Sequence, residues 1–73
     1  MSNANVVIFS GNHCPACIKA KEFFSELGIK YIERNIDENE QAEKDMAELG
    51  SESLPTIVVN NKVIVGFSTL RKL

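Results

Sequence analysis

Cys14-Pro15-Ala16-Cys17 carries the strongest chemical signal in this chain, and these are its only two cysteines. A thiolate is the nucleophile of disulfide exchange and also a metal ligand, so the pair admits redox or metal chemistry. Pro15 suits the first position of a helix, where its missing N–H had no intrahelical partner. That puts Cys14 at the helix mouth, where unpaired N–H groups and the dipole favour an anion. A free Cys ionises near pH 8.5, and such a setting lowers this to roughly 3.5–7.5. Cys17 lies about one turn further on, on nearly the same face, within reach of the first sulfur. Cys14 is then the attacking thiolate, and Cys17 the thiol that resolves a mixed disulfide.

Other readings of the pair differ in what they require. A structural zinc site needs four ligands, and besides the cysteines the chain has a single His, His13, so an intrachain site would draw on carboxylates. The second reading is a metal- or iron–sulfur-cluster-binding module, a dimer with Cys14 as thiolate ligand. A purely structural disulfide would close too small a loop to remove much unfolded-state entropy. As core residues, Cys17 suits burial, whereas Cys14 before a helix-starting Pro is expected to be exposed. His13 adjoins Cys14 and, when protonated, favours the thiolate; a solvated loop His is an equal reading. Lys19 and Lys21 stand early in the helix, where cations oppose the dipole, and read as a solvated face.

The elements around the pair follow from periodicity. Asn5 to Phe9 is a short β-branched run ending at Ser10-Gly11-Asn12, a buried strand. Cys17, Ala20, Phe24 and Leu27 recur at helical spacing until Gly28. Lys30 to Ile36 alternates, with Tyr31, Glu33 and Asn35 on one face and Ile32, Arg34 and Ile36 on the other. Asp37 matches an N-cap with Glu40 three residues on, opening a second helix that Gly50 ends. Its apolar stripe (Ala42, Met46, Leu49) is thin. Thr56 to Val59 and Lys62 to Val65 flank Asn60-Asn61, a hairpin with a turn that tolerates left-handed backbone. Ser68 or Thr69 caps a short final helix. The helix between the first two strands implies a right-handed parallel crossover. The fold class is thus α/β, βαβ followed by α-β-β-α, with a four-stranded mixed sheet flanked by helices.

Composition narrows the partners. With 73 residues, one domain with a thin core is expected. The 44% hydrophobic and 25% charged content is that of a soluble globular domain. A net charge of -2 argues against nucleic acid. No apolar run approaches the roughly 20 residues that span a bilayer, and no secretory leader is visible. The expectation is a cytoplasmic monomer, where thiols are kept reduced and such a pair is catalytic or metal-binding.

A Cys-x-x-Cys motif beside a βαβ pattern is the signal of a thioredoxin-like redox site. Val6-Val7-Ile8-Phe9, the Cys motif, Ala20-Lys21, Leu54-Pro55-Thr56 and Gly66, in this order, resemble a glutaredoxin over nearly the whole chain. The resemblance implies a thioredoxin-like fold with Pro55 in cis and the Leu54 backbone pairing with an extended substrate. It implies Cys14 as nucleophile and Cys17 as resolving thiol, with His13, Pro15, Leu54, Pro55, Gly66 and Phe67 around the substrate and no residue assigned to a metal. No bound cofactor is implied; glutathione is the family's co-substrate.

Three departures bear on the reductant. Gly11 stands where the usual pattern has Lys, Ala16 where it has Tyr, and Gly66-Phe67-Ser68-Thr69 where it has Gly-Gly, a Cys or Ser, and acidic residues. The missing cation and acid are groups that would hold glutathione. The Gly-Phe step is similar to the glutaredoxin-like redoxins that pass electrons from thioredoxin reductase to ribonucleotide reductase. The expected function is therefore a dithiol electron carrier reducing protein or mixed disulfides, with thioredoxin reductase or glutathione as its source. A regulatory domain that binds through the Leu54 edge without turnover is a third possibility.

Overall fold

The computed structural model describes residues 5–66. In chain order it contains β1 (Val6–Ser10), α1 (Pro15–Glu26), β2 (Ile32–Asn35), α2 (Glu40–Glu48), β3 (Thr56–Val59) and β4 (Lys62–Val65). The strands form one sheet in the order β2-β1-β3-β4; β1 pairs with β2 in parallel, and the other two pairings are antiparallel. The mixed α/β architecture expected from the sequence is present. Phe67 and the short final helix expected at Ser68 or Thr69 lie outside the described residues.

Side-chain alternation along the strands divides the core between the two faces. Val6, Ile8 and Ile57 pack with Ala20 and Phe24 of α1, with Phe23, Ile29 and Tyr31 around them. Phe9 packs on the other face with Ala42 and Met46 of α2, beside Val7, Ile36, Leu54 and Val58. Ile8 and Ile57 are fully buried, and burying each contributes roughly 1.5–3 kcal/mol. The thin stripe of α2 covers only part of its face, leaving Ile32, Leu49, Val63 and Val65 exposed.

β2 alternates as expected, over a shorter span than Lys30 to Ile36. Glu33 turns towards α1, where its Oε2 accepts from Lys21 Nζ (2.8 Å) and Ser10 Oγ (2.7 Å). Arg34 turns to the other face, pairs with Asp45 of α2 and lies over the Phe9 ring. Lys21 is thus held in an ion pair, where a solvated position was expected. Both helices stop at glycine. After α1, the N–H groups of Gly28 and Ile29 reach the carbonyls of Ser25 and Phe24, with Gly28 at φ 72°, the Schellman arrangement. The Asn60-Asn61 turn has φ 49° and 74°, both left-handed as a two-residue hairpin turn of type I′ requires.

The start of α2 differs from expectation. Asn39 caps the helix, its Oδ1 accepting from the N–H groups of Gln41 (2.9 Å) and Ala42 (3.1 Å). Asp37, two residues before that cap, instead accepts at Oδ2 from the N–H of Asn12 (2.8 Å). With Asn39 as cap, Glu40 becomes the first helical residue and cannot close a capping box; it and Glu43 complement the positive helix end.

Two outcomes follow from these contacts. The carboxyl of Glu33 is held below its ordinary value, first by the Lys21 hydrogen bond and then by that of Ser10; that of Asp45 is lowered by Gln41 and then Arg34. Their contribution is complete above the ordinary carboxylate values and is lost as pH falls through the lower folded values. Urea melts are expected to show stability declining on acidification below about pH 4.5, the ordinary Glu value, with a shallower decline in Glu33→Gln. At the hairpin, Asn61→Ala is expected to lose about 1–2 kcal/mol in the same melts, while Asn61→Gly keeps wild-type stability.

Candidate active site

Strand register brings the functional segments to one edge of the sheet. Phe9 is opposite Arg34 on one side and Thr56 on the other, and Thr56 is opposite Val65. The chain leaving β1 at Ser10, the Leu54-Pro55 approach to β3 and the exit of β4 at Gly66 therefore lie side by side. The Gly66 N–H donates to the Pro55 carbonyl (2.9 Å), and Gly66 holds φ 92°.

After β1, three residues (Gly11, Asn12 and His13) lead to Cys14, the N-cap of α1. Its backbone is extended (φ −131°, ψ 93°), and its Sγ accepts from the N–H of Cys17 at 3.2 Å. The Cys14 carbonyl also accepts from Cys17 N–H (3.0 Å) and Ile18 N–H (3.3 Å). Pro15 opens the helix as expected. The sulfur thus occupies the place of a capping oxygen, where N–H groups converge and negative charge is favoured.

Cys14 and Cys17 form a disulfide with a Cα–Cα separation of 5.2 Å, inside the usual range of about 4.4–6.8 Å. Cys17 is buried, with 1% of its surface exposed. Cys14 is half-buried, less open than expected from sequence, because it both caps the helix and sits against its partner. An outside group therefore meets the first sulfur before the second. His13 is exposed beside it.

The Leu54-Pro55 peptide is cis. Pro55 is fully buried, and Leu54 packs against the cluster on the α2 face. Among the described residues, neither the N–H nor the carbonyl of Leu54 has a backbone partner. The bend before it is held by side chains: Thr56 Oγ1 donates to the Ser53 carbonyl (2.6 Å) and shares a hydrogen bond with Ser51 Oγ. Thr56 and Ser51 are both buried. Their supporting part was not apparent from sequence, although a Ser-Glu-Ser-Leu-Pro-Thr run is rich in groups that bond locally to backbone. Asp37 and Asn39 are both good capping types, and only one of them caps α2.

Among the described residues, no three His, Cys, Asp or Glu side chains come together to hold a metal ion. No helix among them is long and apolar enough to cross a membrane.

Known proteins share this arrangement. A family model described as Glutaredoxin matches residues 6–64. The chain is 39% identical over 69 residues to a probable glutaredoxin from Synechocystis, covering 92% of this chain and 63% of that protein. It therefore spans less than two thirds of that relative. It is 34% identical over 70 residues to the glutaredoxin-like protein NrdH of Lactococcus lactis, covering 93% and 97% of the two chains. In structure it is similar to the thioredoxin-like protein BC3987, with a TM-score of 0.85 at 25% identity over 93% of this chain and 97% of that one. A cysteine pair at the β1-to-α1 junction, a cis proline leading into β3, a family match over most of the chain and an NrdH relative covered over 97% of its length converge on one assignment: the chain belongs to the glutaredoxin family, with a thioredoxin-like fold.

Proposed function

We propose that this chain is a dithiol electron carrier of the cytoplasm, reducing disulfides in protein substrates through Cys14 and Cys17. The observation that carries the reading is the Cys14 sulfur at the helix N-cap, accepting from the Cys17 N–H with Cys17 buried behind it. In the reduced state the Cys14 thiolate attacks one sulfur of the substrate disulfide. That S–S bond breaks, a Cys14–substrate bond forms, and the leaving thiolate takes up a proton. Cys17 then loses its proton and attacks the Cys14 sulfur, forming the Cys14–Cys17 disulfide and releasing the second substrate thiol. Two electrons pass to the substrate, and an external dithiol or NADPH-linked reductase returns them.

The substrate would lie extended along Leu54, whose backbone N–H and carbonyl have no backbone partner among the described residues and suit strand addition. His13, Pro15, Pro55 and Gly66 would border it. The absence of a cation at Gly11 supports thioredoxin reductase over glutathione as the electron source, and the likeness to NrdH makes ribonucleotide reductase a natural acceptor. The chain acts as a monomeric single domain in this reading.

Turnover of a peptide disulfide with NADPH and thioredoxin reductase tests the proposal. Cys14→Ser is expected to abolish turnover. Cys17→Ser is expected to stop at a mixed disulfide, seen by mass spectrometry as one substrate thiol attached to Cys14. Residual turnover in Cys14→Ser would refute the mechanism. Equal or faster turnover with glutathione and its reductase would refute the assigned electron source.

A further inference from the structure

We infer that Asp37 is a positioning residue for the disulfide loop, and that Gly11 is the gap through which it acts. The loop from β1 to Cys14 is three residues long, and its middle residue is tied sideways to the end of β2. The Asn12 N–H donates to Asp37 Oδ2 (2.8 Å), the Asp37 N–H to Asn35 Oδ1 (2.8 Å), and Asn35 Nδ2 to Asn12 Oδ1 (2.9 Å). These three bonds close a ring between the two segments. The Ile36 N–H, donating to the Ser10 carbonyl (2.9 Å), continues the strand pairing into it.

Gly11 stands where the ring meets the cis-proline loop. A Cβ on it would lie 2.8 Å from Leu54 Cδ1 and 3.1 Å from Asp37 Oδ2. Its backbone is outside the left-handed region, so the conflict is one of space alone, and an added Cβ would displace the Leu54 methyl and the Asp37 carboxylate. The space beside Gly11 is therefore taken from the side, by a leucine methyl and a carboxylate. Through this contact the loop carrying Cys14 and the loop presenting Leu54 share a reference point.

Asp37 and Asn12 are exposed, so water competes for their hydrogen bond and its effect on global stability is small. Its effect on orientation is larger, because Asn12 is two residues from the attacking sulfur. An acceptor on the Asn12 N–H fixes the course of the loop, and misplacing a reacting group by about 1 Å can cost a hundredfold in rate. The inference rests on the proposed attack by Cys14 on a substrate aligned at Leu54.

The test compares wild type, Asp37→Ala, Asp37→Asn, Gly11→Ala and the double variant Asp37→Ala/Gly11→Ala. The readouts are kcat/KM for a peptide disulfide and the melting temperature of each protein. Asp37→Ala and Gly11→Ala are each expected to lose about tenfold in kcat/KM, with Asp37→Asn, which keeps an acceptor for Asn12, within about threefold of wild type. The double variant is expected to be no worse than the slower single one, because both act through one anchor. Melting temperatures of the Asp37 variants should shift by no more than a few degrees. An Asp37→Ala protein at the wild-type rate, an Asp37→Asn protein as slow as Asp37→Ala, or a double variant losing the product of the two single effects would each overturn the inference. If Gly11→Ala does not fold, the contrast between Ala and Asn at position 37 decides alone. A wild-type protein without turnover would sink the proposed function itself, whereas active wild type with indifferent Asp37 variants sinks only this inference.

Discussion

One sulfur does the work of a helix cap. Cys14 takes the place that Ser, Thr, Asp or Asn usually fills, with its Sγ accepting from the N–H of Cys17. In the proposed dithiol mechanism that single hydrogen bond links the conformation of the motif to its chemistry: in the reduced protein the N–H that fixes the sulfur would also favour its anion, and it belongs to the residue whose thiol would displace whatever the sulfur has captured. Pro15 serves both ends of this arrangement. It begins the helix without wasting a donor, and it keeps the chain before it extended, as the N-cap backbone requires.

The sheet brings three chain segments together at the end of β1 that leads to Cys14. β1 is the central parallel strand and contributes to both core clusters, so its end is anchored from two sides. The register places the exits of β1, β2 and β4 and the entry of β3 at a common edge, the position where α/β sheets present their ligand sites. Buried Thr56 and Ser51 then shape the approach to Pro55 without leaving a polar side-chain atom unpaired.

Much of this was legible before any coordinates. The βαβ unit, the helix stops at Gly28 and Gly50, the hairpin at Asn60-Asn61 and the face assignments of β2 all follow from local rules: periodicity, left-handed turn residues, glycine past a helix end. What stayed hidden depends on contacts between distant residues. Asp37 has the chemistry of a cap, and its local spacing points to one; its actual partner is Asn12, 25 positions earlier in the chain. Likewise Gly11 reads in sequence as a departure from lysine, and its nearness to the side-chain ends of Leu54 and Asp37 shows only in the structure. Cys14 is less open than a residue before a helix-starting proline suggests, because its partner cysteine covers one side.

The most direct measurement is a pH titration of the Cys14 thiolate by its ultraviolet absorbance, in reduced protein carrying Cys17→Ser. Half-ionisation below about pH 7.5 is predicted, with the transition returning towards that of an ordinary thiol when the protein is unfolded in urea. Half-ionisation near pH 8.5 in both the folded and the unfolded protein would contradict the claim that the helix mouth activates this sulfur.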